Sequence, residues 1–184
     1  MKGFRHLSFS IFSLLYITVS LHAFGFAQTN LPQIPTPERK AYLTRLIADF
    51  VFWPNEEQEN NDPFIISVFN DENFFRYLLY LYKDVRFKNR ITKIEHITSV
   101  DEIDGSQILF VTSTSEEVLE EILNKTKNEP ILTIGDQEEF GKKGVIVNFY
   151  AEDEEIKFEI NFLSYQNSDL QIDSRLFDVA RIID

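Results

Sequence analysis

Cysteine is absent from the 184 residues, so the chain has no disulfide, no thiolate nucleophile and no cysteine metal ligand. Histidine is scarce, and two of its three copies, His6 and His22, lie in an apolar amino-terminal segment. A serine hydrolase needs a histidine base beside its nucleophile, and zinc sites usually need several histidine or cysteine ligands. Only His96 is left for either purpose, so we interpret it as a structural or solvated side chain.

Positive charge is also scarce. The chain has 18 Lys and Arg against 30 Asp and Glu, which gives a net charge of −12. If the amino-terminal segment is removed, Lys2 and Arg5 leave with it, so the basic count falls from 18 to 16 and the net charge to −14. Nucleic acids and anionic lipids favour basic protein surfaces. The composition therefore argues against both as partners.

The first 27 residues are typical of an export signal. A positive start with Lys2 and Arg5 precedes an apolar run, residues 7–26, and small residues precede the expected cleavage site after Ala27. An uncleaved membrane anchor is the alternative, because about 20 apolar residues span a bilayer. Polar residues interrupt the run, which favours cleavage. We expect an exported protein that does not insert into the membrane once the signal is cleaved.

Periodicity predicts how the chain is organised after the signal segment, with an extended leader at 28–38 and one domain at 39–184. The predicted helices cover 38–52, from a cap at 70–71 to about 83, 115–127, and from a cap at 173 or 174 through 183. The predicted strands cover 64–69, 90–97, 106–112, 131–134, 145–150 and 156–162. Strands alternate with helices before an antiparallel pair. This order predicts an α/β fold, a single-domain layered sandwich with a mixed β-sheet flanked by helices.

A glycine-containing loop follows the strand at 131–134 but does not match a phosphate loop. Such a loop has four residues between its glycines and a Ser or Thr after its lysine, whereas this one has five and then Lys143. We interpret Gly141 and Gly144 as turn residues with positive φ. Acidic residues 152–155 predict a hairpin turn, and no calcium-loop pattern occurs. The sequence indicates no metal and no cofactor.

Several short motifs combine in one order. They are Leu132-Thr133-Ile134-Gly135-Asp136, then Phe140, Gly141 and Gly144, then Ile146 and Phe149, then Phe158-Glu159-Ile160-Asn161. This order resembles the YfiR-like family of periplasmic repressors. A first segment that closes on Trp53-Pro54 and a last segment at 170–180 extend the resemblance over residues 39–183. Ser106 lies where many relatives have cysteine, so disulfide-based regulation does not carry over.

The resemblance implies a function. Members of the YfiR-like family are periplasmic α/β proteins, typically dimeric, that bind the sensor domain of an inner-membrane diguanylate cyclase and hold it inactive. Release of the cyclase raises cyclic di-GMP and promotes biofilm formation. The lack of a catalytic constellation favours a binding module over an enzyme. The resemblance implies a periplasmic, homodimeric repressor, with the cyclase or another sensor protein as partner. It implies functional roles for Phe149, Glu159 and Asn161, with Trp53 as an aromatic candidate.

Two of these residues have competing interpretations. Alternation along its strand favours a solvated Glu159, whereas the resemblance favours a hydrogen-bonding role with Asn161. Trp53 is the lone tryptophan, and it is either a core anchor after the first helix or an exposed docking residue. Two other function classes stay open: a small-molecule sensor module acting with a histidine kinase, and a carboxylate-based hydrolase.

Overall fold

A computed structural model describes residues 36–54, 56 and 62–184 of the chain. Its strands are β1 (Val51–Phe52), β2 (Phe64–Phe69), β3 (Arg86–Phe87), β4 (Arg90–Ile97), β5 (Ile108–Val111), β6 (Leu132–Gly135), β7 (Val147–Glu152), β8 (Glu155–Asn161), β9 (Gln171–Ile172) and β10 (Arg181–Ile183). Its helices are α1 (Pro37–Asp49), α2 (Glu72–Tyr82), α3 (Glu116–Thr126), α4 (Phe140–Lys143), α5 (Phe162–Gln166) and α6 (Ser174–Phe177), with a 3-10 turn at Val100–Ile103. The expected signal peptide and residues 28–35 of the expected leader lie outside the described residues.

The strands form a mixed eight-stranded sheet in the order β10-β8-β7-β6-β5-β2-β4-β3. Pairing is parallel from β4 through β2, β5 and β6 to β7, while β8 is antiparallel to β7 and β3 is antiparallel to β4. Strand β10 runs parallel to β8. The predicted α/β fold with a mixed sheet is therefore confirmed.

Two apolar clusters cover the two faces of this sheet. Ile66 and Val68 of β2 belong to the cluster that contains buried residues of α1 and α2. Phe69, on the opposite face of the same strand, belongs to the cluster that contains buried residues of α3 and α4. Successive side chains of a strand point to opposite faces of the sheet, so a strand that is covered on both sides needs apolar residues on both faces. No helix in residues 36–54 or 62–184 is long and apolar enough to cross a bilayer.

The first helix is shorter than the sequence predicts. Thr36 caps its start by accepting a hydrogen bond from the Arg39 N–H, and Pro37 occupies its first turn. The helix ends at Asp49 rather than at residue 52, and Val51–Phe52 instead pairs antiparallel with Gln171–Ile172. Proline at position 54 disfavours helical geometry just before it, so the chain becomes extended there and finds a strand partner.

The last predicted helix is also shorter. Asp173 caps α6 as predicted, but the helix ends at Phe177. Ile183, predicted to lie in this helix, belongs to β10 instead. Ile182 and Ile183 are β-branched and suit a strand, and register with β8 places Arg181 beside Glu159.

The two loop glycines differ in role. Gly144 ends α4 with a φ of +119°, which confirms the predicted positive φ. Gly141 lies inside α4 and has no positive φ, so the turn interpretation of this residue was wrong. Its requirement for glycine comes from close packing, described below.

Replacing Gly144 by alanine should lower the free energy of unfolding by about 1–3 kcal/mol, because an L side chain is strained at that φ. Urea unfolding at neutral pH measures the change. Asn128, with a φ of 62°, is the matched control: Asn128→Gly should be neutral or slightly stabilising. Equal losses in both variants would contradict the argument.

Candidate functional site

The Phe-Glu-Ile-Asn motif lies in the interior of the domain rather than on its surface. Glu159 is 4% exposed on β8 and stands directly opposite Asn148 of β7, which is 2% exposed. The interpretation of Glu159 as a solvated side chain was therefore wrong. A buried carboxylate is costly unless hydrogen bonds and a countercharge compensate it.

Both oxygens of the Glu159 carboxylate are occupied. Oε1 accepts a hydrogen bond from Asn148 Nδ2 at 3.1 Å, and Oε2 accepts from Arg181 Nε at 3.0 Å and from Arg181 Nη2. Arg181 is in register with Glu159 on the neighbouring strand, and its guanidinium carbon lies 3.9 Å from the ring centre of Tyr150. The hydrogen bond to Glu159 raises the pKa of Arg181, so the arginine stays charged.

Gly141 is the third element of this cluster. A Cβ at this position would overlap Glu159 Oε1 and would lie 2.8 Å from Ile183 Cδ1. Its carbonyl accepts a hydrogen bond from Asn161 Nδ2 at 2.9 Å, while Asn161 Oδ1 accepts from the Ser164 N–H and caps α5. Glu159 and Asn161 are thus not bonded to each other, but both hold α4 against β8 through Gly141.

A second buried ion pair lies on the other side of Asn148. Lys40 Nζ of α1 contacts Asp136 Oδ2, just after β6, at 2.8 Å, and the two side chains are 6% and 3% exposed. The same ammonium group lies 4.2 Å from the ring centre of Phe74. Gln137 donates from Nε2 to Asp136 Oδ1 and accepts at its carbonyl from Asn148 Nδ2. Polar contacts therefore run from α1, through residues 136–137, to β10.

Asn148 is oriented by these neighbours. Its Nδ2 faces two acceptors, so the amide nitrogen must point toward them and the oxygen away from them. Oδ1 is buried with no hydrogen-bond partner among the described residues, and it would lie 2.9 Å from a Cβ on Gly135. The glycine of the Gly-Asp motif is therefore needed for this close approach.

Trp53 and Phe149 are core residues. Trp53 is 7% exposed, packs edge to face on Phe64 with ring centres 5.0 Å apart, and donates from Nε1 to the Gln107 carbonyl. Phe149 is 1% exposed and lies 6.3 Å from Phe110. The interpretation of Trp53 as a core anchor is confirmed, and that of an exposed docking residue was wrong.

The model of the YfiR/HmsC-like family matches residues 38–181, which include every part of this cluster. The chain belongs to the YfiR/HmsC-like family. This is a regulatory family of periplasmic proteins that act on diguanylate cyclases. No curated protein matches the chain.

Sequence reasoning gave no role to four side chains of this YfiR/HmsC-like site, namely Asn148, Arg181, Lys40 and Asp136, although Asp136 lies in the quoted motif. The only signals were a lysine on the otherwise buried face of α1 and the Gly-Asp step after β6. Nothing in the pattern pairs Arg181 with Glu159, because 22 positions separate them. In the cluster around Glu159, Arg181 and Tyr150 reach the surface.

His96 fits the structural interpretation in this family member. Its Nδ1 lies 3.2 Å from Glu72 Oε2, and its ring packs 5.5 Å from that of Phe75. Within the described residues, no three His, Asp or Glu side chains are arranged to hold a metal ion.

Two crevices of about 580 and 550 Å³ have the volume of a small-molecule site. The first is lined in part by Glu56, Asp104 and Glu129, and the second in part by Asp101 and Glu121. Small-molecule pockets are predominantly apolar with a few polar groups. The walls of these two crevices are therefore mixed, with carboxylates beside apolar side chains such as Ile65 and Val118.

Replacing Gly141 by alanine should lower the free energy of unfolding by about 1–3 kcal/mol, because the new methyl group overlaps Glu159 and Ile183. Part of this loss should vanish in a Glu159→Ala background, where the overlapping oxygen is gone. Urea unfolding of the single and double variants gives the coupling energy, expected at about 0.5 kcal/mol or more. The same cycle with Gly144→Ala should be additive, and additivity at Gly141 would contradict the packing argument.

Replacing Lys40 by methionine should lower the free energy of unfolding by about 3–5 kcal/mol, because Asp136 would stay buried without its cation. The Lys40→Met, Asp136→Leu double variant should lose less, since neither charge then remains buried. Arg76→Met is the control, because its pair with Glu72 is exposed and contributes about 0–1 kcal/mol. A double variant as unstable as Lys40→Met would refute the assignment.

Proposed function

We propose that this chain is a periplasmic repressor that binds the sensor domain of an inner-membrane diguanylate cyclase and holds the enzyme inactive. Membership of the YfiR/HmsC-like family carries the proposal. The structure is compatible with it, because Glu159 and Asn161 are buried and hydrogen-bonded to neighbours inside the domain. A protein of this kind acts through its surface on another protein.

Repression is a population shift. The chain binds the inactive conformation of the cyclase more tightly than the active one, and the shift cannot exceed that difference in affinity. Less cyclic di-GMP is then made and biofilm formation is restrained. In this proposal the signal peptide is cleaved after Ala27, the mature protein is a homodimer, and no cofactor takes part.

The motif residues act indirectly in this proposal. Glu159 and Asn161 are each 4% exposed and Phe149 is 1% exposed, so none of them has the accessible surface of an interface residue. Glu159 and Asn161 fix the positions of β10 and α4 and thereby the shape of the surface above them, while Phe149 packs in the core. Functional sites need such a buried supporting shell, because small displacements weaken binding.

A capture experiment tests the function. Tagged residues 28–184 are incubated with detergent-solubilised membranes of the native organism, and the bound proteins are identified by mass spectrometry. We expect a membrane protein with a cyclase domain, and purified repressor should lower its rate of cyclic di-GMP synthesis at least about fivefold. An unrelated exported protein of equal net charge controls for ionic capture.

Two results would contradict the proposal. Recovery of a histidine kinase without any cyclase would favour the sensor alternative. Recovery of a cyclase whose activity does not change when the protein is added would show binding without repression.

A further inference from the structure

Arg181 is the point at which the buried cluster reaches solvent. Its side chain is 49% exposed, whereas that of its partner Glu159 is 5% exposed. Two of its nitrogens are bound to Glu159 and its guanidinium stacks on Tyr150, so its position is fixed before any partner arrives. Its third nitrogen, Nη1, has no hydrogen-bond partner within the described residues. A preordered arginine loses little conformational entropy when it binds a further acceptor.

Arg181 also lies on an open edge of the sheet. Strand β10 pairs with β8 on one side, and no strand of the described chain pairs with its other side. Two large apolar side chains flank it in exposed positions, Val179 at 71% and Ile182 at 44%. Edge strands are usually protected by charges, prolines or bulges, because their free backbone groups accept another strand.

Charged side chains of both signs surround this edge, with Asp178 before β10, Asp184 after it and Arg181 within it. The nearby carboxylate of Glu152 is already bound to Lys157 at 2.6 Å, and Lys142 is bound to Glu139. Lys142 occupies both oxygens of Glu139, and Lys157 binds Oε2 of Glu152, so in the described structure neither carboxylate is bonded to Nη1 of Arg181. In a chain with a net charge of −12, this edge offers a fixed cation with an open donor.

We infer that β10 is the docking surface for the partner protein, which adds an extended segment alongside it and places an Asp or Glu carboxylate on Arg181. Addition of a strand to a sheet edge uses backbone hydrogen bonds for affinity and side-chain contacts for specificity. Arg181 is the specificity-determining residue and Glu159 is a positioning residue that acts through it. The inference rests on the proposed function for the identity of the partner.

Photocrosslinking in the native cells tests this surface without assuming the partner. The full-length chain carries a photoreactive phenylalanine analogue at Ile182 or Val179, and, as a control, at Tyr80 of α2, which is 77% exposed. We expect crosslinks from the two edge positions and none from Tyr80. Mass spectrometry should place them in an extended segment with an acidic residue close to the crosslinked position.

Substitutions then identify the contacts, with the analogue at Val179. Arg181→Gln should lower the crosslink yield at least about tenfold, as expected for a central interface arginine. Arg175→Gln is the matched control, since Arg175 also binds a carboxylate, Asp173, and its side chain is 71% exposed. Ile182→Lys leaves the pair of Glu159 and Arg181 intact and puts a charge on the edge, so it should cause a similar loss. Urea unfolding confirms that each variant is folded.

The outcomes distinguish a failure of the proposed docking surface from a failure of the proposed function. Edge crosslinks to a histidine kinase would support the surface and overturn the proposed function. Crosslinks from Tyr80 alone, an unchanged yield in both Arg181→Gln and Ile182→Lys, or a link between the edges of two copies would each overturn the surface. No crosslink from any position would overturn the surface, while the capture experiment would still decide the function.

Discussion

The structure depends on how one negative charge is kept inside the domain. The Glu159 carboxylate is buried on β8, and an uncompensated charge there would cost several kcal/mol. Three separate segments meet this requirement: β7 supplies the Asn148 amide, β10 supplies Arg181, and α4 supplies a glycine small enough to approach. Each segment is thereby fixed relative to the others. The motif residues therefore specify how β7, β8, β10 and α4 are placed relative to one another. Apolar packing alone would define this arrangement less uniquely.

The pair of Lys40 and Asp136 repeats this principle at α1. Apolar contacts press the helix onto the sheet but define its position along the sheet only loosely, because they are non-directional. An ammonium group that must reach one carboxylate at 2.8 Å removes that freedom. Gln137 and Asn148 connect the two ion pairs. The positions of the first helix and the last strand are therefore both fixed relative to the loop after β6. For a regulatory protein this makes the spacing of distant surface features reproducible.

Most of the fold follows from the sequence, and the exceptions have a common cause. The six predicted strands and the helices α2 and α3 come from local apolar patterns, which are visible in the sequence without knowledge of a partner segment. Strands β1, β3, β9 and β10 have two or three residues, which is too short for any periodicity. They exist because a partner strand lies beside them. The helices predicted at both ends of the domain were therefore too long.

The candidate site shows the same limit. Alternation along β8 says that Glu159 and Phe158 point to opposite faces, but it does not say that both faces are covered. That depends on α4, which lies over β8 only in the folded chain. Nothing in the local sequence indicated a role for Arg181, because that role depends on its register with β8. Even Gly141, correctly singled out, owed its importance to a side chain 18 positions away and not to its backbone angle.

The sequence by itself determined the absence of thiol chemistry, the acidic character, the order of the main helices and strands, the positive φ of Gly144 and the family. These are properties of composition, local periodicity and motif order. The tertiary structure alone decided that Glu159 is buried, that Trp53 is an anchor, and that Arg181 stands at an open edge. The physical reason is that burial and charge compensation arise between segments far apart in the chain, so no local pattern encodes them.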